Sequence, residues 1–207
     1  HYLEYGTVYV KEAYAARALP ERHEMLGFGE QVFAAGASRP TGKGLKFHEA
    51  MVSEHMRLLA VQDALEAGGR RGVDLVDGSL TDTIYDLTIL GESSKANQLR
   101  KDFKVSDERY YHTVVRALAS SGDWDGLYAL SRERKSPIGL APFAEAAESR
   151  GRLDEVAKYA AMMPEADERV DWFIRAKHWA DALSQCGKIK DEDERRSRLI
   201  RIHGECG

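Results

Sequence analysis

Histidines, cysteines, paired carboxylates and glycine-rich loops are the usual raw material of a site. This sequence of 207 residues carries seven histidines and two cysteines. His48 and His55 are the closest histidines sharing a helical face, but seven residues is two turns, about 10 Å of rise. That is too far for one metal ion, and no cysteine joins them. They read as surface or packing histidines, and neither a metal nor another cofactor is expected. The loop Gly36-Ala-Ser-Arg-Pro-Thr-Gly42-Lys43 has the glycines and lysine of a phosphate-binding loop. Its spacing is one residue too long, Gly44 stands where a magnesium-binding hydroxyl belongs, and no strand precedes it. Asp154 and Glu155 are adjacent on a helix, so they point in different directions and read as solvated. No serine or cysteine lies in a recognisable nucleophile elbow. The expectation is a protein that is not an enzyme. A constellation assembled from distant segments leaves no such mark; it would require a deep polar pocket with perturbed titrating groups.

The elements that would position any such groups follow from composition and periodicity. With 43% hydrophobic and 31% charged residues, the chain can bury a sizeable core. Its 34 acidic and 30 basic residues give a net charge of -4 and are intermixed, so no basic face for a nucleic-acid backbone stands out. No apolar run approaches the roughly 18 residues of a membrane span, and the N-terminus lacks a signal-peptide pattern. A soluble chain, with no nucleic-acid partner and no direct membrane insertion, is expected. Cys186 and Cys206 are too few for a disulfide framework, which fits a reducing cytosolic setting; a bridge between the two is the alternative. A start at His1 without methionine suggests a fragment of a longer protein.

Apolar residues recur at three-and-four spacing almost throughout, and alternating strand patterns do not recur, which predicts an all-α fold. A helix is predicted from about Thr7 to Ala18, and a second from Pro20 to near Gly36. A loop over 37–44 leads into a long helix from Leu45 to Ala67, ended by the turn Gly68-Gly-Arg-Arg-Gly72. From Ser79 onward, helix-turn-helix units repeat. Gly122-Asp-Trp-Asp-Gly-Leu127, Gly151-Arg-Leu-Asp-Glu-Val156 and Lys177-His-Trp-Ala-Asp-Ala182 each set a polar turn, then a bulky apolar residue, then a second apolar position. With Leu99 opening the series, the spacings are 28, 29 and 26 residues, the period of a helical solenoid. Gly122 and Gly151 suit a left-handed helix end, and Asp123 suits a cap. Ser136-Pro137 and Ala141-Pro142 mark helix starts. Asp191 to Arg198 reads as a solvated helix or frayed end. The expectation is one elongated α-solenoid domain over 1–207.

The long helix carries two apolar stripes. Leu45, Val52, Met56 and Leu59 form one; Phe47, Met51, Leu58, Val61 and Leu65 form the other. Either the helix lies between two layers of its own chain, or the second stripe meets a partner, with Met51, His55 and Leu58 on its accessible edge.

Four stretches resemble the C-terminal region of the vacuolar protein-sorting subunit numbered sixteen, shared by the HOPS and CORVET tethering complexes. They are Glu54-His-Met-Arg-Leu-Leu-Ala-Val-Gln62, Ser79-Leu-Thr-Asp-Thr-Ile84, Ala96-Asn-Gln-Leu-Arg-Lys-Asp-Phe-Lys-Val-Ser-Asp-Glu-Arg109 and Lys135-Ser-Pro-Ile-Gly-Leu-Ala-Pro-Phe143. Val10-Lys-Glu-Ala-Tyr-Ala-Ala16 is similar to the family's pattern as well. The resemblance implies a docking scaffold whose partners are the Sec/Munc-type SNARE-chaperoning protein, subunit thirty-three, and the other HOPS and CORVET subunits. It implies a cytoplasmic protein, peripheral on late-endosome and vacuole membranes, that couples membrane tethering to fusion. The family's contact residues fall on Met51 and Arg109, the former a departure because the family often has a smaller residue there. The resemblance thus implies a partner seated over residues from about Leu45 to Ala117. An architectural domain that holds the tether's own subunits together is the alternative. Arg109, in the first turn of a helix, opposes the helix dipole and so is not there for helix stability; it can offer a forked donor to a carboxylate.

Overall fold

A computed structural model describes residues 1–68, 74–133 and 136–206. Among the described residues it holds twelve α-helices and no strand, as the periodicity requires. By its internal contacts the chain divides into two compact units, His1–Thr83 and Ile84–Gly207.

The first unit is built on three helices: α1 (Tyr2–Ala15), α2 (Leu19–Ala37) and α3 (Leu45–Ala67). The start predicted at Thr7 is too late, because Gly6 is an interior helical residue. A Cβ there would collide with the Phe33 ring, so glycine lets α1 and α2 approach closely. Pro20 sits in the first turn of α2, and α3 has the predicted bounds. Ala13, Leu26, Phe33, Val52 and Leu59 form the core of this unit. The turn expected over 68–72 lies mostly outside the described residues. Beyond it, the end of α3 holds the chain by polar side chains. Glu66 Oε1 accepts from the amides of Leu75 and Val76 at 2.5 and 2.7 Å. Fully buried Gln62 donates to Gly78 O and Thr83 Oγ1, both at 2.8 Å. Ser79 and Asp82 then form a reciprocal capping box at the start of α4 (Leu80–Ile89).

The second unit continues through α5 (Ser93–Asp102), α6 (Asp107–Ser121), α7 (Trp124–Ser131), α8 (Ala141–Ser149), α9 (Leu153–Met162), α10 (Ala166–Arg175), α11 (Trp179–Cys186) and α12 (Glu192–Cys206). Trp124, Leu153 and Trp179 each open the second helix of a pair. The matching apolar positions, Leu127, Val156 and Ala182, are each 0% exposed. The repeat is therefore physical, and one of its members needs correcting. In every pair the second helix begins two residues after a residue of positive φ: Gly91, Gly122, Gly151 or Lys177. Counted from that residue, fully buried Ala96 takes the place of Leu127, and Leu99 follows one turn later. The spacing from Ala96 is 31, 29 and 26 residues. Leu99 is the bulkier residue and is buried too, but Ala96 holds the repeat position.

Each of these four turns closes with the same hydrogen bond. The amides of Glu92, Asp123, Arg152 and His178 donate to the carbonyls of Leu87, Leu118, Ala147 and Phe173 at 2.8–3.0 Å. This is the Schellman arrangement, which satisfies carbonyls that the helix end leaves open. Asp123 caps α7 by accepting from the Gly126 amide at 2.9 Å, and Pro142 occupies the first turn of α8. Pro137 does not start a helix; it lies in a turn before α8. The acidic and basic tail is helical, and Arg198 bonds Asp171 on α10 at 3.1 Å.

The left-handed turns generate a paired prediction. Gly151→Ala should destabilise the fold by about 1–2 kcal/mol, the cost of a Cβ in this conformation. Lys177→Gly should stabilise it, by up to about 1 kcal/mol, because exposed Lys177 already carries that cost at φ 58°. Urea unfolding midpoints of the two variants measure both.

Candidate partner-binding surface

One face of α3 is spent in the core of the first unit, through Val52 and Leu59. On another face Phe47 is 71% and Met51 48% exposed, one helical turn apart. Apolar side chains at four-residue spacing stack along a helix, so the two form a short ridge. His55 continues it one turn on and is half-buried against α1. Its ring lies 5.6 Å from that of Tyr14, and the Tyr14 hydroxyl is 3.4 Å from its Nε2. Tyr14 is itself 60% exposed.

Leu58 departs from the predicted accessible edge: it is 9% exposed. It shares the angular position of Met51 two turns on, but one turn before Gln62, where the segment ending at Thr83 is tied down. The stripe runs from open to covered along the helix. Met51 and His55 remain on the surface, and Phe47 joins them. Phe47 shares this stripe in the sequence but is not among the expected contact residues. Its position two residues into a helix that follows a loop was the available signal.

Arg109 belongs to the second unit. It is exposed in the first turn of α6, behind Asp107 and Glu108, and its amide donates to the capping Ser106 hydroxyl at 3.4 Å. Met51, His55 and Leu58 are brought together on one helix; Arg109 is placed on another element.

Among the described residues, no three histidine, cysteine or acidic side chains are grouped to hold a metal. The His48 ring packs against that of Phe33 in a tilted pair, with centroids 5.3 Å apart. Cys186 is buried and Cys206 exposed, and both are free; burial pushes the Cys186 thiol up. Of the two carboxylates read as solvated, Asp154 is exposed and the Arg152 guanidinium holds its carboxyl down, to about 2. Glu155 is not solvated. It is 2% exposed because α9 packs between α8 and α10, and its Oε1 accepts from Lys158 at 2.5 Å. Both are paired structural charges, Asp154 with Arg152 and Glu155 with Lys158. Among the described residues, no helix is long and apolar enough to cross a membrane.

The family described as Vps16, C-terminal region, matches residues 4–204. The Protein VACUOLELESS1 of Arabidopsis thaliana is 35% identical over 142 residues, covering 67% of this chain and 16% of that protein. The vacuolar protein sorting-associated protein 16 homolog of Dictyostelium discoideum is 26% identical over 190 residues, 92% of this chain and 22% of that protein. Vacuolar protein sorting-associated protein 16 of Saccharomyces cerevisiae is 29% identical over 137 residues, 65% and 17% respectively. The chain thus spans about a fifth of the length of these relatives.

Burial also sets a pH response. Desolvation lowers the His55 pKa below 6.5; Asp77 opposes it, and Arg22 and His23 add to it. The unfolded chain therefore binds a proton at higher pH than the folded one, and stability falls as pH drops below about 6.5. A His55→Gln variant should flatten this fall in denaturant midpoints between pH 7 and 5, and the His55 ring should titrate below 6.5 by NMR.

Proposed function

Because the chain belongs to the Vps16 C-terminal region family, we propose that it is a protein-docking scaffold of a vacuolar membrane-tethering complex, and that it seats a Sec/Munc-type SNARE-chaperoning subunit. The observation that carries a docking role is the Phe47–Met51 ridge. Two large apolar side chains are exposed on a helix whose other face already fills a core. Water contact at such a ridge is relieved by a partner surface, at about 25 cal/mol for each Å² covered. Methionine adapts its shape to a partner, and an aromatic neighbour supplies rigid area. Arg109 adds a planar donor suited to a carboxylate on the partner. Peripheral residence on late-endosome or vacuole membranes follows from the complex rather than from insertion of this chain.

Met51→Asp and Arg109→Glu test the reading in a pull-down against the purified Sec/Munc-type protein. Each should weaken binding by about 30-fold, the effect of losing a hot spot of about 2 kcal/mol. Both variants should stay folded by circular dichroism, since Met51 is exposed and an acidic residue suits the first turn of α6. Unchanged binding by two folded variants removes the assigned face. Capture of another tether subunit, with none of the Sec/Munc-type protein, makes the domain architectural instead.

A further inference from the structure

The second unit contains a groove of about 540 Å³ among α5, α6 and α7 that the docking ridge does not use. Its volume lies in the range of small ligand sites, roughly 300–1,000 Å³. Tyr110, Tyr111, Val114 and Leu130 give it apolar walls, and Asn97 and Glu133 place polar groups on it. The two tyrosine rings meet edge to face, with centroids 6.1 Å apart.

The charge balance decides what such a groove takes. Arg100 is the one cation among its lining residues, and it is spent within the protein: it pairs with Asp107 and stacks over the Tyr110 ring at 5.0 Å. Two carboxylates, Asp123 and Glu133, line the same space. Asp123 caps α7, while the Tyr111 hydroxyl donates to Glu133 Oε2 and fixes that carboxylate in orientation. The bond pushes the Tyr111 hydroxyl up to about 12. Arg132, next to Glu133, turns instead onto the Tyr128 ring at 5.8 Å. Among the described residues no ion pair neutralises Asp123 or Glu133. Among its described lining residues the groove thus sets two carboxylates against one internally paired cation, with tyrosine walls and one positioned carboxylate.

We propose that this groove is a binding site for an arginine side chain presented by a partner polypeptide. The guanidinium is planar and weakly hydrated, so it can lie against tyrosine while forking onto the Glu133 carboxylate, and Asn97 can supply a further acceptor. A lysine ammonium is a strongly hydrated point charge and loses more on entering the same space. An acidic ligand would compete for Arg100 against Asp107 while facing Asp123 and Glu133.

The probe is acetyl-Gly-Arg-Gly-amide, titrated into the isotope-labelled 207-residue chain, with the Gly126 amide and the Asn97 side-chain amide as NMR reporters. Saturable shifts at these reporters are expected, with a dissociation constant on the order of 1 mM. The lysine peptide should bind several-fold more weakly, and the neutral citrulline and glutamate peptides should cause no such shifts. Glu133→Gln should weaken the arginine peptide by about tenfold and Tyr111→Phe by a smaller factor, each checked for folding by circular dichroism. Met51→Asp should change nothing, which separates this site from the α3 ridge. The proposal is overturned by equal binding of the citrulline or glutamate peptide, by arginine binding that Glu133→Gln leaves intact, or by shifts confined to other residues.

Discussion

The helical stack of the second unit depends on one backbone conformation, found at the turn within each of its four helix pairs. A residue of positive φ ends the first helix of each pair, and the amide after it reaches back to a carbonyl five residues earlier. This fixes where the next helix starts, two residues on, and thus which side chain points into the core. Glycine takes the conformation without steric cost at three of the turns. At the fourth, Lys177 meets a cost of about 1–2 kcal/mol. The burial that follows is larger: an apolar side chain of the size of Ile174 gains about 1.5–3 kcal/mol on being fully covered, and Ala182 and Cys186 are covered with it. Packing overrides the local preference, so the turn geometry survives the loss of its glycine.

That hierarchy explains what could be read from the sequence. Turn chemistry at Gly122, Asp123 and Gly151 was legible because each residue has a local physical role that no neighbour need supply. The bounds of α3 were legible because a 23-residue amphipathic run between two glycine-rich segments has few alternatives. Lys177 was aligned by its neighbours although nothing in its own type announces a left-handed residue. Ala96 was passed over for Leu99 because size is a poor guide to burial where helices approach closely; a methyl group can be the most enclosed atom at a crossing. Pro137 was read as a helix start, but a proline fixes only its own φ, and the chain spends it in a turn before Pro142 opens α8. Leu58 and Glu155 were misplaced for one shared reason. Angular position on a helix is visible in sequence, whereas what covers each turn along its length is set by elements far away in the chain.

The ridge on α3 is the complementary case. Its angular position was visible, but its exposure was an open alternative between an inner layer and a partner. The structure makes the face a graded one. Toward the start of the helix, Phe47 and Met51 stand in solvent; toward its end, Gln62 and Glu66 gather the segment that follows and the surface closes. A helix can therefore hold its unit together with one half while its other half stays available, and neither function requires the same residues.

This separation bears on the stretches by which the chain was likened to its family. Gln62 ends the first of those stretches and Thr83 lies within the second, and they bond to each other. Ser79 and Asp82 cap α4, Ser106 caps α6, and Phe143 is fully buried. Several of the residues that carry the likeness thus do structural jobs, which a polar buried network or a capping box makes intolerant of substitution. Phe47 lies outside the four stretches, Met51 stands three residues before the first of them, and Arg109 closes the third at the solvent. Similarity over these stretches is accordingly strong support for the fold. The exposed side chains are the ones at which the physics of folding leaves the choice of residue open.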